Sequence, residues 1–322
     1  TSLPLRAEAK ARYTGPRQGA GGFPVNSPPR LIATAYHHRC AEAMAAAARL
    51  LGKTEDARHY DALAAEIREA FIARFYDAEQ FSFGSQAGDA LALWQGLYPE
   101  GHREKVLESL VHDIMVTRDG HFSTGELATD KVLRVLLEHG RDDVAHTLMT
   151  QEDFPSFGLM IKHGATTTWE TWGEAILDRT PAGTHPPVAA GRPQSHNQFL
   201  GVDSFFLHGI AGIRRDPENP AFRSFEIKPH LVRQLDWARA TFESVRGPIT
   251  TNWRREDDRF SWEVVVPPNT TATLHVPAAR PEAVREGNKP ATKSRGLSFL
   301  RYTDGHAVYH AESGAYRVRS EL

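Results

Sequence analysis

Segment 164–174 of the sequence, GATTTWETWGE, places a glutamate, Glu170, between two tryptophans, Trp169 and Trp172. Indole rings offer flat apolar surfaces on which the C–H face of a sugar can stack, and paired carboxyl groups carry out glycoside hydrolysis. In that reaction one carboxyl group protonates the leaving oxygen, and the other acts on water or on the anomeric carbon. A solvated glutamate is ionised at neutral pH, which suits a general base. We therefore interpret Glu170 as a candidate catalytic carboxylate, with Trp169 and Trp172 as a sugar platform.

The same residue types fit a second interpretation. The two tryptophans would then pack the junction of a helix and a loop. Glu170 and Glu174, four residues apart, would form a solvated helical face. Residue types alone do not decide between a catalytic and a packing role.

Other catalytic and metal-binding signatures are missing from the sequence. The 16 histidines form no HExxH motif, and the single cysteine excludes a thiolate cluster. His37 and His38 are adjacent on a predicted helix, so their side chains point about 100° apart. The sequence also contains no GxGxxG, Walker A or GxSxG motif. We predict neither a metal nor a cofactor.

The composition limits the partners of the protein. The 322 residues are 40% hydrophobic and 24% charged, with a formal net charge of -2, so no basic excess favours nucleic acid. No apolar run approaches the roughly 18 residues of a membrane span. The lone Cys40 cannot form an internal disulfide, is expected to be buried, and favours a reducing, cytoplasmic location. The polar start, residues 1–30, has neither a signal-peptide core nor an initiator methionine, which suggests a fragment or a processed chain.

Helical periodicity runs from residue 31 to about residue 215. The first helix, LIATAYHHRCAEAMAAAARLLG, places an apolar stripe on Ile32, Tyr36, Cys40, Met44, Ala47 and Leu51 and ends at Gly52. Further helices are predicted at 85–97, 103–116, 125–139, 141–151 and 199–213, with another starting near Thr54. Short connections between such helices predict antiparallel helical hairpins.

Residues 216–322 show the alternation of antiparallel strands. The stretch from Leu235 to Pro277 is rich in Thr, Val, Phe and Trp, with turn residues at 247–248 and 257–258. Asp304-Gly305 and Ser313-Gly314 are further hairpin signals. We predict a C-terminal β-sandwich after the helical part.

The segment TQEDFPSFGLMIKHGATTTWETW, residues 150–172, closely resembles a signature of the α-L-rhamnosidases of the six-hairpin glycosidase clan. That signature reads roughly T-Q-x-x-[FY]-P-S-[FWY]-G-x-M-[IL]-x-x-G-A-T-T-x-W-E-x-W. The flanking stretches LIATAYHHRCAEAMAAAARLLGK, GSQAGDALAL and DGHFSTGELATDKVLRVLLEHGRDDVAHTLMTQ follow the order of the family. The resemblance covers about residues 30 to 320.

The resemblance implies an (α/α)6 toroid, incomplete in this chain, followed by a C-terminal β-sandwich. It also implies inverting hydrolysis of a terminal α-L-rhamnose, with Glu170 as the base that deprotonates water. The substrate would be a rhamnose-containing glycoside or oligosaccharide. His121 and Glu126 would line the mouth of the toroid, whereas Glu126 would otherwise interact with the dipole of its helix. Asp89 and Trp94 are interpreted as core or helix-surface residues.

Two departures from the family pattern concern the site. The general acid of the family lies in a motif of R-D-E-x-x-G-W-x-G-D character, and this sequence has none. We therefore expect an upstream segment or chain to complete the toroid, and whether this chain is active alone stays open. After the base, the family has Asn-His, whose imidazole reaches the rhamnose hydroxyls, whereas this sequence reads SHNQFLG. Either His196 or Gln198 would take that role.

Two alternative functions remain open. A homologue that has lost catalysis would be a carbohydrate-binding or scaffold protein with the same fold. Another member of the clan, such as an unsaturated-glucuronyl hydrolase or a glucosidase, fits less well, because those enzymes lack the GATTxWExW string.

Overall fold

The computed structural model describes residues 27–125, 127–172, 195, 199–216 and 218–322. The chain forms two compact units, Thr1–Val202 and Asp203–Leu322, which we call the helical unit and the β unit. Sequence periodicity placed the change from helix to strand after residue 215. In the structure a strand already begins at Ile213.

The helical unit is built from α-helices joined by short turns. In chain order the helices are α1 (Pro29–Leu50), α2 (Thr54–Phe75), α3 (Gln86–Gln95), α4 (Arg103–His112), α5 (Thr129–Glu138), α6 (Asp142–Thr150) and α7 (Phe157–Lys162). A π-helical turn, Asp113–Thr117, extends α4, so the predicted helix 103–116 is confirmed in two pieces. α1 packs against α2, and α3 packs against α1, α4 and α5.

The α1–α2 hairpin corrects one prediction from periodicity. The buried face of α1 consists of Leu31, Ile32, Ala35, His38, Ala41, Ala45 and Ala48. The predicted stripe through Cys40, Met44 and Leu51 is wrong, because Cys40 is exposed and the other two are 46% and 72% exposed. Alanines form most of the contact face, and their small side chains let the two helices approach closely. Their weak apolar signal explains why periodicity selected the larger side chains instead.

The chain from residue 199 onwards also differs from the prediction. The expected helix 199–213 is a short 3-10 helix, Phe199–Val202, and a π-helical turn, Phe205–Ile210. The chain then enters the first strand at Ile213. No helix among the described residues is long and apolar enough to cross a membrane.

The β unit contains two sheets. Its strands are β1 (Ile213–Arg215), β2 (Ser224–Ile227), β3 (Trp237–Ser244), β4 (Gly247–Glu256), β5 (Arg259–Val266), β6 (Thr271–Pro277), β7 (Arg285–Glu286), β8 (Lys289–Pro290), β9 (Leu297–Thr303), β10 (His306–Ala311) and β11 (Gly314–Glu321). The five-stranded sheet has the order β1-β2-β6-β10-β9, and the six-stranded sheet has the order β3-β4-β5-β11-β7-β8. The predicted antiparallel sandwich is confirmed, with one exception, because β2 pairs with β6 in parallel.

Large aromatic side chains fill the core of the β unit. Trp253 and Trp262 are buried, and each indole N–H has a partner. Trp253 Nε1 donates to the carbonyl of Ile210 at 2.8 Å, and Trp262 Nε1 donates to Thr251 Oγ1 at 2.7 Å. Buried indoles need such partners, because an unsatisfied N–H in an apolar interior is costly.

Candidate active site

Trp172 joins three segments of the helical unit. Its indole stacks on Phe122, with ring centroids 5.2 Å apart and planes 15° from parallel, and meets Phe157 edge-on at 5.0 Å. Its Nε1 donates a hydrogen bond of 2.7 Å to the carbonyl oxygen of Thr124. Segments 121–124, 154–157 and 169–172 are therefore held together at one aromatic cluster.

The platform role predicted for Trp172 does not fit this position. The side chain has no exposed surface, and Phe122 covers one of its faces. A sugar ring stacks only on an accessible ring face, so the burial of Trp172 favours a packing role. Trp169 is 6% exposed and is also almost wholly buried.

Glu170 lies in the chain between Trp169 and Trp172 and is itself half-buried. Both tryptophans are buried, so packing fixes the chain on either side of Glu170, while Glu170 keeps part of its surface exposed. A general base needs this combination, because it must meet a water molecule in a defined position.

Gln86 fixes the buried segment that carries His121. The side chain of this first residue of α3 is itself buried. Its Nε2 donates to the carbonyl of His121 at 3.0 Å, and the backbone N–H of Ser123 donates to its Oε1 at 2.8 Å. This double hydrogen bond mimics strand pairing and holds segment 121–123 in place. Sequence reasoning did not single out Gln86, because its partners are distant in the chain.

His121 is 2% exposed, and each of its ring nitrogens lies within hydrogen-bond distance of an oxygen atom of the protein. Nδ1 lies 2.8 Å from the carbonyl oxygen of Asp119, and Nε2 lies 2.7 Å from Asp153 Oδ1. The imidazole therefore has no ring nitrogen left for a sugar hydroxyl. The carboxylate of Asp153 is 53% exposed and is the group of this pair that a ligand can reach. Sequence reasoning missed Asp153.

Two residues of segment 150–172 have structural roles. Ser156 caps α7, because its Oγ accepts the backbone N–H of Leu159 at 3.0 Å. A Cβ atom at Gly158 would lie 2.2 Å from the carbonyl oxygen of Gln151, so only glycine fits there. These residues fix the chain that leads to Glu170 without taking part in chemistry.

Three predicted substrate-binding residues, Glu126, His196 and Gln198, lie outside the described residues. Their roles remain predictions. Among the residues that the structure does describe, no group of three or more His, Cys, Asp or Glu side chains is arranged to hold a metal ion.

Asp89 forms a separate buried polar cluster at the start of α3. The carboxylate is 1% exposed and accepts hydrogen bonds from the backbone N–H of Phe83 at 2.6 Å and from Ser82 Oγ at 3.0 Å. Burial raises the pKa of Asp89 to about 7, although hydrogen bonds from Phe83, Ser82 and Ser109 oppose this shift. Burial likewise raises the pKa of the neighbouring Asp113. Of the two positions considered for Asp89, core and helix surface, the structure shows the core.

A helical-hairpin unit with a tryptophan-flanked glutamate, followed by a two-sheet β unit, defines a six-hairpin glycosidase architecture, and comparisons with known proteins agree. Residues 16–207 match the bacterial alpha-L-rhamnosidase 6 hairpin glycosidase domain, and residues 212–290 match the bacterial alpha-L-rhamnosidase C-terminal domain. The chain belongs to the bacterial α-L-rhamnosidase family.

Individual relatives point the same way. An alpha-L-rhamnosidase of Streptomyces avermitilis is 34% identical over 292 residues, which cover 90% of this chain and 27% of that protein. The crystal structure of a Streptomyces avermitilis alpha-L-rhamnosidase complexed with L-rhamnose matches 98% of this chain and 29% of that chain, with a TM-score of 0.79 and 32% identity. The alpha-L-rhamnosidase structure from Dictyoglumus thermophilum matches 98% of this chain and 35% of its own, with a TM-score of 0.80 and 29% identity. The chain thus spans about a third or less of the length of these relatives.

Proposed function

We propose that this chain forms part of a glycoside hydrolase that removes a terminal α-L-rhamnose, and that Glu170 is its general base. The observation that supports this role most strongly is the placement of Glu170. It is half-buried and is flanked in the chain by two buried tryptophans, one of which, Trp172, is held to Thr124 and Phe122. An ionised carboxylate in that position would take a proton from the water that attacks the anomeric carbon.

Inversion at the anomeric carbon is part of the proposal. It requires a second carboxyl group across the sugar, roughly 6.5–9.5 Å from the base, to leave room for the water. The sequence contains no motif of R-D-E-x-x-G-W-x-G-D character. We place the general acid on a polypeptide segment outside residues 1–322. The sugar contacts would come from Asp153 and the predicted residues His196, Gln198 and Glu126.

An activated substrate separates the role of the base from the role of the acid. p-Nitrophenolate is a good leaving group that departs with little help from an enzymic proton, whereas an alkyl alcohol needs one. The chain should therefore hydrolyse p-nitrophenyl α-L-rhamnoside faster than an alkyl α-L-rhamnoside by a wide margin. Glu170→Gln should lower the rate on the activated substrate by about 10²–10⁴-fold. Glu152→Gln is the matched control, because Glu152 is exposed and pairs with Lys162 at 2.6 Å.

The outcomes distinguish the alternatives. Equal losses in the two variants, or none in Glu170→Gln, would remove Glu170 as the base. A different result would favour the non-catalytic carbohydrate-binding homologue. In that case the chain would bind rhamnose but would show no Glu170-dependent hydrolysis, even of the activated glycoside. Proton NMR of the first-formed sugar tests inversion, since β-L-rhamnose is expected and initial α-L-rhamnose would contradict it.

A further inference from the structure

The solvent-exposed face of the six-stranded sheet carries a row of aligned side chains. Successive strand registers pair Trp237 with Arg254, Arg254 with Ser261, Ser261 with Arg319, and Arg319 with Arg285. All five residues are exposed. We call this set the arginine row. It crosses β3, β4, β5, β11 and β7, so its length is about 19 Å, from four strand spacings of about 4.8 Å.

A second row runs beside the first. It pairs Arg239 with Asn252, Asn252 with Glu263, and Glu263 with Arg317. The two rows together hold five arginines and one glutamate, namely Arg239, Arg254, Arg285, Arg317, Arg319 and Glu263. On the other side of the arginine row the same face carries Glu256, Arg259 and Glu321, so the excess of positive charge is confined to these two rows.

The arginines of the two rows differ in their carboxylate partners. Arg317 lies 3.5 Å from Glu263, and Arg254 lies 3.9 Å from Glu256. Within the part of the chain that the structure describes, Arg239 and Arg319 make no ion pair. Arg319 and Arg285 are directly opposite each other on paired strands. Like charges in that arrangement destabilise a sheet, so an anion bound between them would stabilise it.

Trp237 adds an aromatic surface at one end of the row. It is 59% exposed, unlike the buried Trp253 and Trp262 of the same sheet. An exposed indole face stacks on the C–H face of a sugar ring. Side chains that exchange hydrogen bonds with hydroxyl groups, Asn252 and Ser261, lie between the arginines.

More positive charge lies at the other edge of the sheet. A cavity of about 420 Å³ is lined by Lys289 of β8, Lys293 and Arg295, with Glu286 as its one acidic lining residue. Lys289 pairs with Glu286, the neighbour of Arg285 in β7, and successive strand residues point to opposite faces, so this cavity does not extend the arginine row.

We propose that this face of the β unit binds an acidic polysaccharide chain that contains uronate residues. The planar guanidinium groups of the arginine row would take uronate carboxylates in bidentate pairs, and Trp237 would stack on a sugar ring. The residues of this face belong to the β unit and Glu170 belongs to the helical unit, and the proposal stands whether or not the protein cleaves rhamnosides. A phosphate backbone would not stack on the exposed indole, and it has no hydroxyl groups to exchange hydrogen bonds with Asn252 and Ser261. We therefore favour a saccharide over nucleic acid.

Binding of the full chain to polygalacturonate tests the proposal, because this polymer contains no rhamnose and leaves the hydrolytic site out of the measurement. Methyl-esterified polygalacturonate keeps the sugar backbone but removes its charge. The variant Arg254→Ser/Arg319→Ser removes two guanidinium groups of the row. The matched control, Arg223→Ser/Arg301→Ser, changes the net charge equally at exposed positions in or beside the five-stranded sheet. Trp237→Ala tests the aromatic contact.

The chain should bind polygalacturonate, and added salt should weaken the complex. The affinity of the row variant for polygalacturonate should be at least about tenfold lower, since each lost charged hydrogen bond lowers the affinity severalfold. Trp237→Ala should lower it severalfold, and the control variant should bind as the wild type does. Equal binding to the methyl ester, equal loss in the control, or no binding would overturn the proposal. So would tighter binding to duplex DNA, or a change of oligomeric state in the row variant, which would assign the face to nucleic acid or to a second copy.

Discussion

Asp89 and Glu170 are carboxylates of the same helical unit in opposite situations. Asp89 is 1% exposed, is held by Ser82 and Phe83, and has its pKa raised to about 7 by burial. Glu170 is half-buried and lies in the chain between two buried tryptophans. A strongly perturbed pKa is often taken as a sign of a catalytic group. Here the carboxylate with the raised pKa, Asp89, is buried in the interior, whereas the candidate catalytic carboxylate is the more accessible Glu170.

The comparison shows that a shifted pKa reports burial first and function only when solvent or substrate can reach the group. The two carboxylates should therefore respond to substitution in different ways. Loss of Asp89 should affect folding, and loss of Glu170 should affect turnover.

The largest effect on stability should come from the residue that supports Glu170. Trp172→Ala should lower the free energy of unfolding by about 3–5 kcal/mol, because a fully buried indole is removed and a cavity remains. Trp172→Phe keeps a ring against Phe122 but loses the hydrogen bond to Thr124, so about 1–3 kcal/mol is expected. Urea denaturation measures both values.

Trp237→Ala is the control for that series. Its indole is 59% exposed, so the change in free energy should stay within about 0.5 kcal/mol. Similar losses in Trp172→Ala and Trp237→Ala would show that the aromatic cluster does not support the site.

The next effect is a pH dependence of the free energy of unfolding that comes from Asp89. Its folded pKa of about 7 lies above the reference value of 3.8, so between these values the native state binds more protons than the unfolded state. The stability contributed by Asp89 therefore falls as pH rises through this window, by at most about 1.4 kcal/mol per pH unit for one proton. Asp89→Asn removes that slope, so the variant should gain stability relative to the wild type as pH rises.

Urea titrations at several pH values across that window give the difference between the two proteins. Asp143→Asn, at an exposed position, controls for the substitution itself. A constant difference between wild type and Asp89→Asn would show that Asp89 keeps its ordinary titration in the folded state.

The smallest effect should come from Asp153. Asp153→Asn removes the carboxylate that lies 2.7 Å from His121 Nε2, but the carboxylate is 53% exposed. Solvent weakens such a pair, so the free energy of unfolding should fall by less than about 1 kcal/mol. Substrate affinity should fall as well if Asp153 contacts the sugar, and an unchanged KM would remove it from the site.

Sequence reasoning succeeded where large apolar residues or local motifs carried the signal. The predicted helix 125–139 contains α5, which buries Val132, Leu133 and Leu136, and the alternation predicted for residues 216–322 is observed in β4, β5 and β11. The segment around Glu170 was found because its motif is long and specific. The sequence left the role of Trp172 open between a sugar platform and packing, because its burial depends on Phe122, 50 positions earlier, which no local pattern reveals.

The remaining errors have related causes. Alanine has too weak an apolar signal to mark the true face of α1, and turn residues predict hairpins but not the parallel pairing of β2 with β6. Gln86 and Asp153 act through contacts with residues more than 30 positions away. Such contacts follow from the tertiary fold and not from spacing.

The contrast between the two carboxylates can be measured in one experiment, which compares Glu170→Gln with Asp89→Asn for initial rate on p-nitrophenyl α-L-rhamnoside and for melting temperature. Glu170→Gln should lose about 10²–10⁴-fold in rate and melt at the temperature of the wild type, whereas Asp89→Asn should shift the melting temperature and keep the rate of its folded fraction. A Glu170→Gln variant that turns over the rhamnoside at the wild-type rate would contradict the role of Glu170 as the base.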